Sequence, residues 1–228
     1  MSGWVWPALI AHRCGGALAP ENTLAGLAIA ARLGCRAVEF DVMLSRDGVP
    51  VLIHDETLTR TAGRRGQVAR FAADELLAMD VGEVFHPAFR GETIPGLDSA
   101  LQCCRRLGLA ANLEIKPAAS HEVATGRAVG RQLASLGPAG RPALLLSSFS
   151  AEALEAAAAE VDRAGGDAPH EPAMGLANWI RARAQLAAAK KPDCDSVLPM
   201  SIDDGTRITV DSIAGGPWPP AYVRLRRI

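Results

Sequence analysis

Short apolar runs alternate with alanine-rich stretches of helical spacing along most of this chain. That alternation is the pattern of βαβ units feeding a parallel sheet. Residues 8–11 read as a first strand, 36–44 as a second, and 111–116 and 143–149 as later ones, with weaker runs at 173–177 and 196–200. Helices are predicted over 97–107, 122–136 and 151–164. Another opens after Pro20-Glu-Asn-Thr23, with Asn22 or Thr23 as its cap and Gly34 closing it. With 228 residues, 49% of them apolar, the chain can bury one sizeable core. α/β barrels commonly run to this length as a single domain, so one domain spanning 1–228 is expected.

One connection departs from the alternation. Ser45-Arg-Asp-Gly48 is a tight-turn sequence, and an apolar run over 49–53 follows at once. Parallel neighbours need a crossover of about a dozen residues or more, so this run must fold back antiparallel. His54 is thereby returned to the carboxyl edge of the second strand, where α/β barrels keep their active sites. Residues 55–96, rich in Gly, Arg and Thr, read as a long insertion with one short helix at 73–79. Long excursions of this kind in compact domains are often functional.

The chemistry is carried by residues at these strand ends. Glu39 and Asp41 lie two apart on one strand and share a face, while Val38, Phe40 and Val42 take the other. Paired carboxylates directed into a barrel are costly unless something positive sits between them. Glu114 stands likewise on a later strand, followed two residues on by Lys116. Three hard oxygen donors suit Mg²⁺ or Ca²⁺. The plainer alternative is a set of interior acids salt-bridged to Arg13 and Lys116. His12 and His54 fall at strand ends on the same edge, and a histidine pair can divide general-acid and general-base work. Arg13 offers a planar cation for a phosphate oxygen and Lys116 a compact one. Metal, cations, acid and base together describe phosphoryl-ester cleavage. His86, His121 and His170 are assigned no role.

Composition excludes several other classes. Twenty-four Lys and Arg against twenty-five Asp and Glu leave no excess of positive charge for a broad nucleic-acid or anionic-membrane surface. No secretory signal and no apolar run near about 18 residues is visible, so stable membrane insertion is not expected. Five cysteines, with a vicinal Cys103-Cys104 and no Cys-x-x-Cys, read as reduced thiols of a cytoplasmic protein. Cys14 stands out because it lies beside His12. The oligomeric state is not specified by the sequence.

Ala11-His-Arg-Cys-Gly-Gly, Pro20-Glu-Asn-Thr23, Glu39-Phe-Asp41, Asp47-Gly48, His54-Asp55, Leu113-Glu-Ile-Lys116 and Ser147-Ser-Phe149 together resemble the signature of the glycerophosphodiester phosphodiesterases. The likeness is strongest to the cytosolic bacterial enzymes that act with glycerol-3-phosphate uptake, and it runs from about residue 4 to about residue 198. It implies a TIM (β/α)8 barrel, a divalent cation, and hydrolysis of small-molecule glycerophosphodiesters to sn-glycerol 3-phosphate and an alcohol. By position, His12 and His54 match the acid/base pair, Glu39, Asp41 and Glu114 the metal ligands, and Arg13 and Lys116 the phosphate contacts. Glu21 and Asn22 match a loop that orients the site, and the insertion after the second strand matches one that helps select the glycerol moiety. The related spider-toxin-like phospholipases D and bacterial phosphoinositide-cleaving phospholipases lack the combination of Pro20-Glu-Asn-Thr23 with a large insertion after His54.

Two departures from the family pattern stand out. Cys14 occupies a position usually held by Gly, which costs backbone freedom if the turn needs φ > 0. Beyond Met200 the expected helix and closing strands are not recognisable; only 221–225 resembles a strand, behind the Pro-rich Gly-Gly-Pro-Trp-Pro-Pro220. The atypical segment 201–228 is thus expected to lack or alter the last one or two β/α units, as after a frameshift or premature stop, leaving the first strand with an unpaired flank. A non-catalytic or unstable remnant is the competing expectation to an active enzyme.

Overall fold

A computed structural model describes Pro7, residues 9–164, and the backbone of three later strands. Strand β1 (Ile10–Ala11) pairs parallel with β2 (Ala37–Leu44), β2 with β4 (Ala110–Ile115), and β4 with β5 (Leu144–Ser147). The hairpin at Ser45–Gly48 forms as expected, and β3 (Pro50–Leu52) returns antiparallel to β2. Helices α1 (Leu24–Arg32), α5 (Leu97–Leu107), α6 (Glu122–Gly140) and α7 (Ala151–Ala164) alternate with the parallel strands, the arrangement of a TIM barrel.

Local chemistry accounts for the helix ends. Thr23 caps α1, its hydroxyl oxygen accepting from Gly26 N at 3.1 Å, and Gly34 takes φ +82° just beyond the helix. Gly108 ends α5 in the left-handed region at φ +67°. α5 buries Leu97, Ala100, Leu101 and Cys104 at helical spacing against the outer face of the sheet, where Val38, Phe40, Val42, Leu113 and Ile115 make the main core. Residues on the opposite face of β2 are Glu39, Asp41 and Met43, all buried. Met43 belongs to a second core with Val51, Ile53, Leu58, Val68, Leu76, Met79, Val81 and Ile94, which lies under the insertion.

The insertion holds more structure than its sequence suggested. Besides α3 (Ala73–Leu77), where one helix was expected, it contains α2 (Thr59–Ala62), α4 (Gly82–Phe85) and two 3₁₀ turns. Helices of four residues, such as α2 and α4, are too short to show a period, so spacing alone does not reveal them.

The C-terminal strands correct the expectation of an open flank on β1. Three strands follow residue 195: β6 (Ser196–Ser201), β7 (Arg207–Ser212) and β8 (Tyr222–Arg227). β8 pairs parallel with β1, placing Ile10 beside Tyr222 and Ala11 beside Val223. β7 lies antiparallel to both β6 and β8, and the hydrogen-bonded path runs β5-β4-β2-β1-β8-β7-β6. β6 and β7, only five residues apart, pair antiparallel where the family pattern has a β/α unit. β7 went unrecognised although Ile208-Thr-Val210 is rich in β-branched side chains. The run at 173–177 and the Pro-rich segment fall outside the described residues.

α6 and α7 pack unusually closely. A Cβ at Gly126 would stand 2.0 Å from the Ala153 carbonyl oxygen, and one at Gly130 would stand 2.6 Å from that of Ala157. Gly→Ala inside a helix ordinarily stabilises by about 1 kcal/mol. At Gly126 overpacking should reverse the sign, with a net loss of about 1–3 kcal/mol seen as a lower urea midpoint. A raised midpoint for Gly126→Ala would show that the helices do not meet here.

Candidate active site

The register of two parallel strands, β2 and β4, brings the acids together. Asp41 is the direct cross-strand partner of Glu114, and Glu39 lies one pleat further back, opposite Asn112. One oxygen from each of Glu39, Asp41 and Glu114 lies within 4.8 Å of the others. Asn112 Oδ1 accepts from Ser147 Oγ at 3.0 Å.

The chain leaving β1 wraps around this cluster in an unusual backbone. Arg13, Cys14 and Asn22 have φ of +49°, +67° and +56°, a region that non-glycine residues rarely occupy. The turn is held by the acids' own strand. Cys14 N donates to the Glu39 carbonyl at 2.8 Å, and Arg13 N to Glu39 Oε2 at 2.8 Å. Asn22 grips Asp41 twice, its Nδ2 donating to Oδ2 at 2.9 Å and its Oδ1 accepting from Asp41 N at 3.1 Å. Cys14 thus takes the positive φ expected of that turn, and its thiol is fully buried, which pushes its pKa well up. A neutral thiol is no competitor for a hard cation.

The histidines flank the carboxylates. His12 Nε2 lies 3.8 Å from Glu39 Oε2. His54 Nδ1 is 2.6 Å from Asp55 Oδ1, while its Nε2 contacts Lys116 Nζ. An ammonium can only donate, so these neighbours select the tautomer with the proton on Nδ1 and the lone pair on Nε2. Burial is the largest influence on His54 and lowers its pKa; Arg13 and Lys116 act the same way, against Asp41 and Asp55. Arg13 Nε stands 3.7 Å from Asp41 Oδ2, and Lys116 Nζ 3.7 Å from Asp41 Oδ1. All seven residues singled out from the sequence therefore meet at the carboxyl edge of the sheet.

Two cations face the buried Glu39 and Asp41 and the half-buried Glu114, and the imbalance is visible in the acids. Burial raises the pKa of Glu39 well above the usual carboxylate range, with Asp41 and Glu114 adding to it. Burial and Asp41 push Glu114 up to about 7. Glu39 Oε1 is buried without a hydrogen-bond partner, the kind of atom that demands a further partner. An all-oxygen donor set this close fits Mg²⁺ or Ca²⁺, whose ligand distances are roughly 2.0–2.6 Å.

Two residues with a part in this geometry carried no assigned role in the sequence reading. Asp55 follows His54 directly and was visible only as part of a motif. Arg60, in α2, bonds both Asp55 and Glu21, a partner 39 positions away that no local pattern announces. His86 accepts from Ala88 N and His121 lies at the start of α6, both away from the cluster, and His170 is outside the described residues.

The model of the glycerophosphoryl diester phosphodiesterase family matches residues 12–199. The chain is 40% identical over 108 residues to the glycerophosphodiester phosphodiesterase of Caldanaerobacter subterraneus, covering 47% of this chain and 44% of that protein. It is 38% identical over 110 residues to the YhdW protein of Bacillus subtilis, covering 48% and 45%. The chain thus spans less than half the length of these curated relatives. Among solved structures, a phosphodiesterase of Oleispira antarctica in complex with the product sn-glycerol-3-phosphate superposes with a TM-score of 0.62 at 40% identity. It covers 67% of this chain and 62% of that one.

The raised acids make stability depend on pH in a defined direction. A carboxyl whose native pKa exceeds its unfolded value binds a proton more tightly when folded. Metal-free stability should therefore be lost as pH rises from about 4.5 towards the Glu114 value of about 7. A bound cation opposes that loss and needs ionised ligands. Mg²⁺ or Ca²⁺ should raise the thermal midpoint more at about pH 7.5 than at about pH 5. Glu114→Gln should flatten both trends; an equal metal response at the two pH values would show that these carboxylates are not its ligands.

Proposed function

The chain belongs to the glycerophosphoryl diester phosphodiesterase family, and from that premise we propose that it hydrolyses glycerophosphodiesters to sn-glycerol 3-phosphate and an alcohol, within one domain that includes the 55–96 insertion. The observation that carries this reading is the convergence of Glu39, Asp41 and Glu114 within 4.8 Å, flanked by two histidines and two cations. In the proposal the three carboxylates hold a divalent cation. When bound, Mg²⁺ or Ca²⁺ supplies charge stabilisation at a phosphoryl oxygen.

The chain's own groups do the rest. Arg13 presents a fixed guanidinium and Lys116 an ammonium to the phosphate anion, each already neighbouring Asp41. His54, kept neutral by burial and offering the Nε2 lone pair, takes a proton from the attacking hydroxyl. For that to happen Lys116 must leave Nε2 and turn to the phosphate, a short movement for a flexible side chain. His12, across the cluster, gives a proton to the leaving alcohol. No helix among the described residues is long and apolar enough to cross a membrane.

A second reading, ligand binding without turnover, is favoured by the antiparallel β6–β8 meander where the family pattern has β/α units. Assay of glycerophosphocholine with added Mg²⁺ or Ca²⁺ separates the two. The first reading expects release of sn-glycerol 3-phosphate, with His12→Ala and His54→Ala each slowing it about 10²–10⁴-fold. Activity surviving His12→Ala refutes the proposed chemistry. A metal-raised thermal midpoint without product identifies the second reading.

A further inference from the structure

Arg60 belongs to the insertion, not to the sheet, yet its guanidinium is the meeting point of two loops from the barrel edge. Its Nε donates to Asp55 Oδ2 at 2.7 Å and its Nη2 to Asp55 Oδ1 at 3.0 Å. Its Nη1 donates to Glu21 Oε2 at 2.7 Å and Nη2 again to Glu21 Oε1 at 2.7 Å. These four bonds use four of the five N–H groups a guanidinium offers, in two forked pairs. Both carboxylates are held ionised: Asp55 is lowered chiefly by Arg60, and Glu21 is lowered because its bonds to Arg60 and Arg13 outweigh its burial.

Each carboxylate has a second duty. Asp55 receives the Nδ1 proton of His54 at 2.6 Å, which fixes the ring's tautomer and rotation. Glu21 accepts from Arg13 Nη1 at 3.2 and 3.3 Å. A plain surface ion pair would end at its partner. This one continues through Asp55 to His54 and through Glu21 to Arg13, joining residues 13, 21, 54, 55 and 60.

We propose that Arg60 is a positioning residue: by clamping Asp55 and Glu21 together it sets the orientation of His54 and Arg13 in the reacting geometry. The inference rests on the reading that His54 transfers a proton and Arg13 meets phosphate. In this proposal Arg60 acts through Asp55 and Glu21, not on the reacting atoms. Loss of its fork frees Asp55 to rotate, and the His54 ring then samples the other tautomer, in which Nε2 carries the proton and cannot accept one.

The test uses the full chain loaded with Mg²⁺. Arg60→Gln is expected to lower kcat on glycerophosphocholine about 10- to 100-fold, with KM changed less than about threefold. Asp55→Asn should fall similarly, and the double variant should be no worse than the poorer single, because both act on one ring. In parallel, ¹⁵N-histidine NMR without substrate should show a single Nδ1–H tautomer for His54 in the wild type and a mixture in Arg60→Gln, the signal assigned with His54→Gln. Unchanged kcat, a change confined to KM, multiplicative losses in the double variant, or a wild-type tautomer in Arg60→Gln each overturns the proposal. If the wild type turns over no glycerophosphocholine, the proposed function fails, and the NMR comparison still decides the role of Arg60. Should Arg60→Gln not fold, Arg60→Lys, which keeps the charge but cannot fork two carboxylates, is read the same way.

Discussion

Two buried carboxylates and a half-buried third, with an oxygen of each within 4.8 Å of the others, are an arrangement that folding by itself opposes, and much of this molecule follows from how they are held. The parallel register that sets Asp41 against Glu114 cannot be relaxed without moving Val38, Phe40, Val42, Leu113 and Ile115 out of the main core. A slip of one residue would turn every one of these side chains to the opposite face. Apolar packing on one face of β2 and β4 therefore enforces charge crowding on the other. Glu39 and Glu114 are raised first by burial and then by that crowding, and the divalent cation proposed above would relieve both.

The turn after β1 is the second constraint, and it depends on the first. Positive φ at Arg13, Cys14 and Asn22 is sterically disfavoured, by about 1–3 kcal/mol per residue where such backbone persists. What opposes the strain is hydrogen bonding: the backbone N–H of Arg13 and the Asn22 side chain donate to Glu39 and Asp41. The acids crowded at the strand edge thus also stabilise the loop carrying His12 and Arg13. The close approach is steric as well. A Cβ at residue 26 would lie 2.9 Å from the Cys14 Cβ, so a glycine on α1 makes room for the cysteine in the turn.

What the sequence disclosed, and what it did not, divides along the range of the interactions. Strands β1 to β5, the hairpin and the larger helices were legible because period and turn chemistry are local, as were Glu39 with Asp41 and Lys116 with Glu114 at two-residue spacing. The meeting of His12, His54 and the three acids followed from strand ends sharing one edge. Arg60 was not legible, since its partner Glu21 is set by how the insertion docks. The short helices α2 and α4 left no period. β7 and the pairing of β8 with β1 were missed for another reason: the segment was judged against an expected β/α order, whereas five residues between β6 and β7 allow only a hairpin.

The insertion is where these threads meet. Its small core, built on Val51, Leu58, Leu76, Val81 and Ile94, is separate from the main one and shares β2 with it through Met43. Met43 lies two residues beyond Asp41 on the same face, so the apolar seat of the insertion begins where the charged cluster ends. Polar ties repeat the connection: Glu92 accepts from Ala25 N at the start of α1, and Arg60 spans Glu21 and Asp55. A second core touching the first along one strand can shift as a unit without unfolding the barrel. Such a shift would move Arg60, and with it Asp55 and Glu21, while leaving Glu39, Asp41 and Glu114 in place. In the proposed reading, the three acids that would hold the cation are fixed by the sheet, and the orientation of His54 by how the insertion sits upon it.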